Sequence, residues 1–330
     1  MESLTFRLAR QDDFDEIVKL SEGIYEGHDY LPIKFHEWLQ RDNLHIVLAD
    51  SKKKLVGLSA YFVVDDGKTF VRRAARILPE LRGQGLVRPL TEYLRKHARS
   101  HYPYVQRERF TTSFEHVSCI EQTKLLECDV LAYHVENRFF TRADIINENT
   151  PKIVPCSREF FCDVVLSSFV TKALFPKNVI IVNSCPFVPV RSNIDYMLQE
   201  GDEMFVEKCD NGVFPRSFSF GSLSPRVKFV HWLASVFTDD PALFEAHLLR
   251  QFRRAGQLIK SDFVFVSLQD KSLTPVGRRL LEEKLQLNVC EYYLNKTMKV
   301  YERDCTSWIE RRCFIAASTR AHNANDSEKT

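Results

Sequence analysis

Two glycines separated by one residue, Gly83 and Gly85, lie where a strand pattern gives way to an amphipathic helix pattern. The chain has only 11 glycines in 330 residues, so this pair indicates a special backbone requirement. Glycine permits a tight curl and a close approach to a ligand, and helix N-terminal amides carry partial positive charge. Residues 82–87 would then supply consecutive amides to a diphosphate, with Arg82 and Arg88 adding positive charge. A tight strand-to-helix connection without a ligand is the structural alternative.

Two familiar phosphate-binding motifs do not fit this segment. A dinucleotide fingerprint needs a third glycine where Arg88 stands. A P-loop needs Lys and then Ser or Thr after its second glycine, where Leu86 and Val87 stand. The segment therefore indicates a phosphate cradle of another kind.

The elements around this segment predict an α/β fold with a mixed sheet. Three strands form an antiparallel meander that ends at Pro79, and Asp65-Asp66-Gly67-Lys68 signals a hairpin turn within it. A sheet that changes from antiparallel to parallel after residue 79 splays there, and ligands tend to bind at such points. The predicted elements of this half are strands at 4–9, 45–49, 55–64, 69–78, 107–114 and 130–135, and helices at 11–20, 32–39, 86–99 and 116–126.

Residues 77–86, ILPELRGQGL, resemble the acetyl-CoA signature of the GNAT superfamily of N-acetyltransferases. That pattern reads Gln/Arg-x-x-Gly-x-Gly/Ala at a strand–helix junction. Arg82 and Gly85 match its first two fixed positions, whereas Val87 replaces the last small residue. Upstream, GIYEGHDYLP (23–32) and HEWL (36–39) are similar to the histidine N-acetyltransferase branch. The resemblance covers about residues 1 to 100, and the element order extends it to about residue 140.

The resemblance implies the GNAT fold and acetyl-CoA as co-substrate, with no metal. Ile77 and Leu78 would offer backbone groups to the pantetheine arm. The reaction would be direct attack of a free amine on the thioester, with a small free amino acid as acceptor and histidine as the closest family guess. The pyrophosphate would be held by Arg82, Gly83, Gln84, Gly85, Leu86 and Val87.

Four further residues are candidates for holding the acceptor. In this fold the loop at 23–32 borders the acceptor groove, so Tyr25 and Tyr30 would gate the substrate or cover the core. Asp29 would hold a substrate ammonium or imidazole, or else cap the surface. An inward-facing Arg73 would favour a carboxylate partner. Alternation alone does not tell whether Arg72 or Arg73 faces inward.

The usual catalytic groups of the superfamily are absent. Many relatives carry a carboxylate base on the strand ending at Pro79, where this chain has Arg72 and Arg73. Relatives often place a tyrosine acid on the helix expected at 116–126, where Thr123 lies nearest. No catalytic residue is therefore assigned. A pseudoenzyme that binds acetyl-CoA or a partner, and an enzyme that acetylates peptides, remain alternatives to a free-amino-acid acetyltransferase.

The second half predicts a degenerate copy of the same fold. Its strand–helix–strand run from residue 227 repeats the run from residue 69, but Asp239, Asp240 and Glu245 in VFTDDPALFE would repel a diphosphate. We expect this half to leave the cofactor unbound. The predicted units are a GNAT domain at 1–142, a linker at 143–178, a degenerate GNAT-like domain at 179–305 and a partly disordered tail at 306–330.

Composition limits the other functions. The formal net charge of +2 gives no reason to expect nucleic acid or membrane partners. No basic and then apolar segment starts the chain, and the longest near-apolar run (55–64) is too short to span a bilayer. A cytoplasmic location follows as an expectation, and the nine cysteines are expected to be reduced. The sequence leaves the oligomeric state open.

Overall fold

The computed structural model describes residues 4–113, 122–137, 151–210 and 213–306. The strands are β1 Leu4–Leu8, β2 Leu44–Ser51, β3 Lys54–Val64, β4 Thr69–Ile77, β5 Arg107–Thr112, β6 Thr123–Val135, β7 Ile153–Pro155, β8 Ile180–Val182, β9 Cys185–Phe187, β10 Glu203–Glu207, β11 Phe218–Pro225, β12 Val230–Phe237, β13 Phe263–Gln269, β14 Asn288–Val289 and β15 Thr297–Asp304. The helices are α1 Phe14–Ser21, α2 Leu31–Leu39, α3 Val87–His101, α4 Arg158–Phe160, α5 Ser168–Leu174, α6 Ile194–Met197, α7 Pro241–Leu258 and α8 Thr274–Arg278.

One mixed sheet runs through both halves of the chain. Its order is β1-β2-β3-β4-β5-β15-β6-β13-β12-β11-β10-β7, with β14 paired to β6. β1 to β4 form the expected antiparallel meander, and β4 then pairs with β5 in parallel. The predicted mixed α/β sheet, with its change of direction after the glycine segment, is confirmed.

The second half repeats the core unit of the first. In each half a helix connects two parallel neighbouring strands, α3 between β4 and β5 and α7 between β12 and β13. β11 precedes β12 in antiparallel pairing, as β3 precedes β4. The predicted second GNAT-like half is confirmed at the level of topology.

The two halves exchange strands at their junction. β15, from the end of the described chain, lies antiparallel between β5 and β6. β6 in turn pairs antiparallel with β13 of the second half. Each half therefore completes its sheet with a strand from the other. The predicted domain bounds at residues 142 and 179 stay a prediction.

Much of the predicted linker is folded. Within residues 151–178, β7 joins the large sheet, and α4 continues as a π-helical turn at Phe161–Val165. Phe161 and Val165 are buried in the core that also holds Phe35 and Leu58 of the first half. Their apolar side chains dock this segment against that core. Residues 143–150, and the tail from 307, lie outside the described residues.

Two element predictions are wrong. The helix expected at 116–126 is a strand over its last four residues, because β6 begins at Thr123. Residues 116–121 lie outside the described part of the chain. The long strand expected at 290–302 is interrupted by a helical turn at Glu291–Tyr293, and β15 begins only at Thr297. Both segments take their conformation from pairing between the halves, which local periodicity does not encode.

Apolar faces on both sides of the sheet fix these elements. α3 buries Leu90, Leu94 and Ala98 at intervals of four residues against Val47 and Phe70 of the meander. α7 does the same in the second half, burying Leu248, Phe252 and Ala255 against Phe265 of β13. No helix in the described part of the chain is long and apolar enough to span a membrane.

Candidate functional site

β4 and β5 separate halfway along β4. The parallel pairing extends only from Thr69 to Arg72, whereas β4 runs on to Ile77. A β-bulge accompanies the separation. The register with β3 shifts between Leu58 and Ala60, and Ala74 takes a left-handed φ of 56°. The last residues of β4 therefore lack a strand on the β5 side, which leaves backbone groups for a ligand.

The alternation of β4 decides which residue can use this opening. The Leu78 amide donates to the Val56 carbonyl at 3.0 Å, and the Leu78 carbonyl accepts from the Leu81 amide at 3.0 Å. In an antiparallel pair, adjacent residues direct their backbone N–H and C=O groups to opposite sides of the strand. Since Leu78 bonds to β3, Ile77 directs its backbone groups away from β3. Its carbonyl accepts from Arg82 Nε at 3.1 Å. Both backbone groups of Leu78 are bonded, and so is the Ile77 carbonyl, so the role of these two residues toward a pantetheine arm stays a prediction.

The glycine segment forms an open cradle at the start of α3. Gly83 and Gly85 have φ angles of 76° and 78°, and a Cβ at either position would meet no atom within 4 Å. Among the described residues, no acceptor bonds the amides of Gly83, Gln84, Gly85, Leu86 and Val87. The Arg82 amide donates to the Pro79 carbonyl at 3.3 Å. The sequence predicted six amides at this corner, and the structure leaves five.

These features fit a diphosphate. Five consecutive unbonded amides at a helix N-terminus provide hydrogen-bond donors and positive potential together. The two glycines supply the left-handed backbone that other residues adopt only at a cost. Every predicted cradle residue other than Arg82 keeps a free amide, and the Arg82 guanidinium bridges the loop to the end of β4.

The equivalent corner of the second half is closed by the protein itself. Asp240 precedes α7, and its Oδ1 accepts from the amides of Ala242 and Leu243 at 2.8 and 3.1 Å. Its carboxylate thus occupies the position that a phosphate would need. This contact supports the expectation that the second half does not bind the coenzyme.

A cavity of about 370 Å³ lies at the junction of the halves, where β4 and β5 separate. We call it the junction cavity. A smaller cavity of about 80 Å³ shares Tyr30, Arg73, Ser184, Arg226 and Leu233 with it. Other residues of the junction cavity are Tyr25, Ser59, Arg72, Ala74, Ala75, Phe110, Thr111, Thr112, Ser113, Val130, Val266, Leu268, Tyr292, Tyr293, Lys296, Thr297 and Met298. Both halves therefore build its wall.

Arg72 and Arg73 leave β4 toward different partners. Arg72 donates to buried Glu108 at 2.6 Å and lies over the Phe110 ring. Arg73 donates to the Asn183 carbonyl at 3.0 Å and lines both cavities. Among the described residues no carboxylate pairs with Arg73, so it is the arginine free to hold an anion.

Of the three candidate residues in the loop at 23–32, two line the junction cavity and one does not. Tyr25 and Tyr30 line the junction cavity, and their gating role stays a prediction. Asp29 does not line either cavity. Its side chain is 1% exposed and binds the equally buried guanidinium of Arg76, with 2.7 Å between Nη2 and Oδ1. The Leu31 amide also donates to Asp29 at 3.0 Å, so this carboxylate anchors the loop instead of holding a substrate ammonium.

Four charged or phenolic residues that line the junction cavity come from the second half, and the sequence patterns did not mark them. They are Arg226, Tyr292, Tyr293 and Lys296. The amides of Val227 and Lys228, next to Arg226, donate to the carbonyls of Asp29 and Gly27 at 3.0 Å. This pairing brings the second half to the 23–32 loop, and no local sequence signal marks it.

No lining residue of either cavity is Asp, Glu or His within the described chain. Phenols are present instead. Burial raises the pKa of Tyr25 and of Tyr292, and it raises the pKa of Tyr293 to about 12. Near neutral pH these phenols keep their protons, so they can donate to a leaving thiolate but cannot accept a proton from an amine.

Behind Tyr292 lies a buried histidine pair. Nδ1 of His28 and Nε2 of His231 are 2.8 Å apart, and the His28 ring stacks on Tyr292 with centroids 4.6 Å apart. One ring of the pair must donate and the other accept, so at most one of the two rings carries a charge. Burial lowers the pKa of His28 to about 4 and that of His231 to about 2.

This pair predicts a loss of stability in acid. A histidine with a lowered pKa in the folded protein takes up its proton only when the chain unfolds. The free energy of unfolding is therefore highest above the unfolded pKa of about 6.5, and it falls as the pH drops toward the folded pKa. Each such histidine costs on the order of 2 kcal/mol between pH 7 and pH 5. Urea unfolding at the two pH values measures the loss, and the loss should be smaller in His28→Gln. Equal losses in the variant and the wild type would contradict the assignment.

Comparisons with known proteins agree with this architecture. A model of the family described as "Histidine N-acetyltransferase, C-terminal" matches residues 149–270. A histidine N-acetyltransferase of Oreochromis niloticus is 26% identical over 309 residues, which is 88% of this chain and 91% of that protein.

Solved structures give the same fold at low identity. A tandem GNAT protein from the clavulanic acid biosynthesis pathway has a TM-score of 0.55 at 11% identity, covering 92% of this chain and 98% of that one. Saccharomyces cerevisiae N-myristoyltransferase with bound myristoyl-CoA also has a TM-score of 0.55, at 12% identity, covering 92% and 79%. The chain therefore has the fold of the GNAT N-acetyltransferases, and over most of its length its sequence is similar to that of a histidine N-acetyltransferase.

Proposed function

We propose that this protein transfers the acetyl group of acetyl-CoA to the α-amine of free histidine. The observation that carries the proposal is the run of unbonded amides from Gly83 to Val87, which opens beside the separated strands β4 and β5. The similarity of the chain to histidine N-acetyltransferases supports histidine as acceptor. The myristoyl-CoA bound in a structural neighbour supports an acyl-CoA donor.

The cradle and the junction cavity position the two reactants. The cradle amides hold the pyrophosphate, and the outward backbone of Ile77 aligns the pantetheine arm along β4. The thioester then reaches the junction cavity, where Arg73 and the two tyrosines of the 23–32 loop face the acceptor. Holding the two reactants together in this way supplies much of the rate enhancement without a dedicated base.

The chemical step needs two proton transfers. The neutral amine attacks the thioester carbonyl, the N–C bond forms, and the C–S bond breaks to release a thiolate. The nitrogen loses its proton to water, because no carboxylate or imidazole lines the cavity in the described residues. A protonated phenol, Tyr25 or Tyr292, gives its proton to the thiolate, and the phenolate that is left takes a proton back from the water that accepted the amine's proton.

Thiol release from acetyl-CoA tests the proposal. Purified protein is incubated with acetyl-CoA and separate free amino acids, and mass spectrometry locates the acetyl group on the product. We expect turnover with histidine well above that with the other amino acids, and acetylation on the α-nitrogen.

Two other outcomes would replace the proposal. Calorimetric binding of acetyl-CoA without turnover on any amine would indicate a binding protein that has lost the chemistry. Turnover restricted to peptides would indicate a peptide acetyltransferase. A cytoplasmic location is part of the proposal, and it is checked by imaging the tagged chain.

A further inference from the structure

The junction cavity contains more positive charge than its described partners neutralise. The guanidinium carbons of Arg73, Arg76 and Arg226 lie 5.4, 5.4 and 5.1 Å from the centroid of the Tyr30 ring. Asp29 neutralises Arg76. Neither Arg73 nor Arg226 has a carboxylate partner among the described residues. Two unpaired cations therefore flank one aromatic ring.

Arg226 has fewer hydrogen-bond acceptors than Arg73. Its Nε is shielded from water and has no hydrogen-bond partner in the described chain. Arg73, in contrast, donates to the Asn183 carbonyl. Burial lowers the pKa of the Arg226 guanidinium, and the charge of Arg73 adds to this effect. A half-buried cation whose shielded Nε lacks an acceptor is costly, so the site gains when an anion enters.

The backbone holds Arg226 in this position. Its own amide donates to the Phe229 carbonyl at 2.7 Å, which closes a tight turn between β11 and β12. The same turn is bonded to the 23–32 loop through Val227 and Lys228. Gly27 permits this approach because it has a φ of 99°, and a Cβ there would lie 2.6 Å from the Lys228 side chain. The position of Arg226 is therefore fixed before a ligand binds.

We propose that Arg226, together with Arg73, binds the α-carboxylate of the acceptor and so makes the enzyme select free amino acids over decarboxylated amines. This inference rests on the proposed function and assigns the specificity to a residue of the second half. A guanidinium presents two parallel N–H groups that match a carboxylate, and such charge-assisted bonds are strong when desolvated. The amine of the same molecule then points to the opening between β4 and β5.

Kinetics with histidine, histamine and histidinamide test this assignment. The wild type should use histidine at least 100-fold better, by kcat/KM, than either analogue that lacks the carboxylate. Arg226→Met should lower kcat/KM for histidine at least 100-fold and leave the value for histamine within about threefold. Arg226→Lys keeps the charge and should recover part of the loss.

Lys228→Met is the matched control, because it removes an exposed cation from the same turn and keeps the aliphatic stem against Gly27. Its preference for histidine should remain. Circular dichroism and acetyl-CoA affinity, measured in all variants, verify that the fold and the cradle are intact. If Arg226→Met turns over with an unchanged ratio of kcat/KM for histidine to kcat/KM for histamine, the role of Arg226 is overturned and the proposed function is not.

Binding measurements separate this inference from the proposed function. If the wild type transfers no acetyl group, calorimetry with histidine and histamine still reports the carboxylate site. Weaker histidine binding in Arg226→Met would then support the site without the reaction. A wild type that neither acetylates nor binds histidine would overturn both.

Discussion

Gly85→Glu is expected to lower the affinity for acetyl-CoA at least 100-fold, which corresponds to about 2.7 kcal/mol. Gly85 lies among the unbonded amides of the cradle, and its φ of 78° directs a side chain into open space. In the protein alone a Cβ at this position meets no atom within 4 Å, so the fold should persist. The carboxylate would instead occupy the cradle and repel the pyrophosphate. Isothermal titration calorimetry with acetyl-CoA measures the change.

Gly201→Glu is the matched control for this prediction. Gly201 has a φ of 84°, and a Cβ there also meets no atom within 4 Å. It lies in an exposed turn of the second half, so the variant carries the same charge and about the same backbone strain, roughly 1–2 kcal/mol. Acetyl-CoA affinity should be unchanged. If Gly85→Glu kept the wild-type affinity, or if both variants lost it equally, the cradle assignment would fail.

Asp29→Ala is expected to lower the free energy of unfolding by about 3–5 kcal/mol. Both side chains of the Asp29–Arg76 pair are 1% exposed, so removal of the carboxylate leaves a buried guanidinium without its counter-charge. The Leu31 amide also loses its acceptor at the start of α2. Urea unfolding measures the midpoint and the slope, and an unchanged slope shows that the loss is one of stability.

Two variants bracket this result. Asp29→Asn retains the shape and hydrogen-bonding oxygen without the charge, so its loss should be smaller than that of alanine. Glu92→Ala breaks the Arg88–Glu92 pair on the surface of α3, where the side chains are 86% and 58% exposed, and it should cost less than about 1 kcal/mol. A loss in Asp29→Ala no larger than in Glu92→Ala would refute a structural role for the buried pair.

The Asp29 result also bears on how the site is assembled. Asp29 fixes Arg76 through its side chain and receives the Val227 amide through its carbonyl. The residue that the sequence suggested for substrate binding thus connects the 23–32 loop to β4 and to the turn of Arg226. We expect Asp29→Ala to weaken histidine use indirectly, through the position of that turn.

The amino-acid sequence by itself determined the elements whose signals are local. The meander, its hairpin at Asp65 to Lys68 and the glycine corner before α3 follow from alternation and turn chemistry over fewer than about ten residues. The second strand–helix–strand unit could be predicted for the same reason. The sequence also predicts that Asp240 excludes a diphosphate from the second half, because a single carboxylate beside a helix N-terminus is enough to repel one.

Only the tertiary structure decided how the halves combine. The apolar spacing of residues 116–126 predicts a helix, yet residues 123–126 form part of β6 because they pair with β15. The packing of the two halves brings Tyr292 and Lys296 to the cavity that Arg73 lines, although Arg73 lies more than 200 positions earlier in the chain. Arg226 lines the same cavity, and the amides of the next two residues, Val227 and Lys228, donate to the carbonyls of Asp29 and Gly27. Such contacts depend on which distant surfaces pack together, and side-chain periodicity carries no information about that choice.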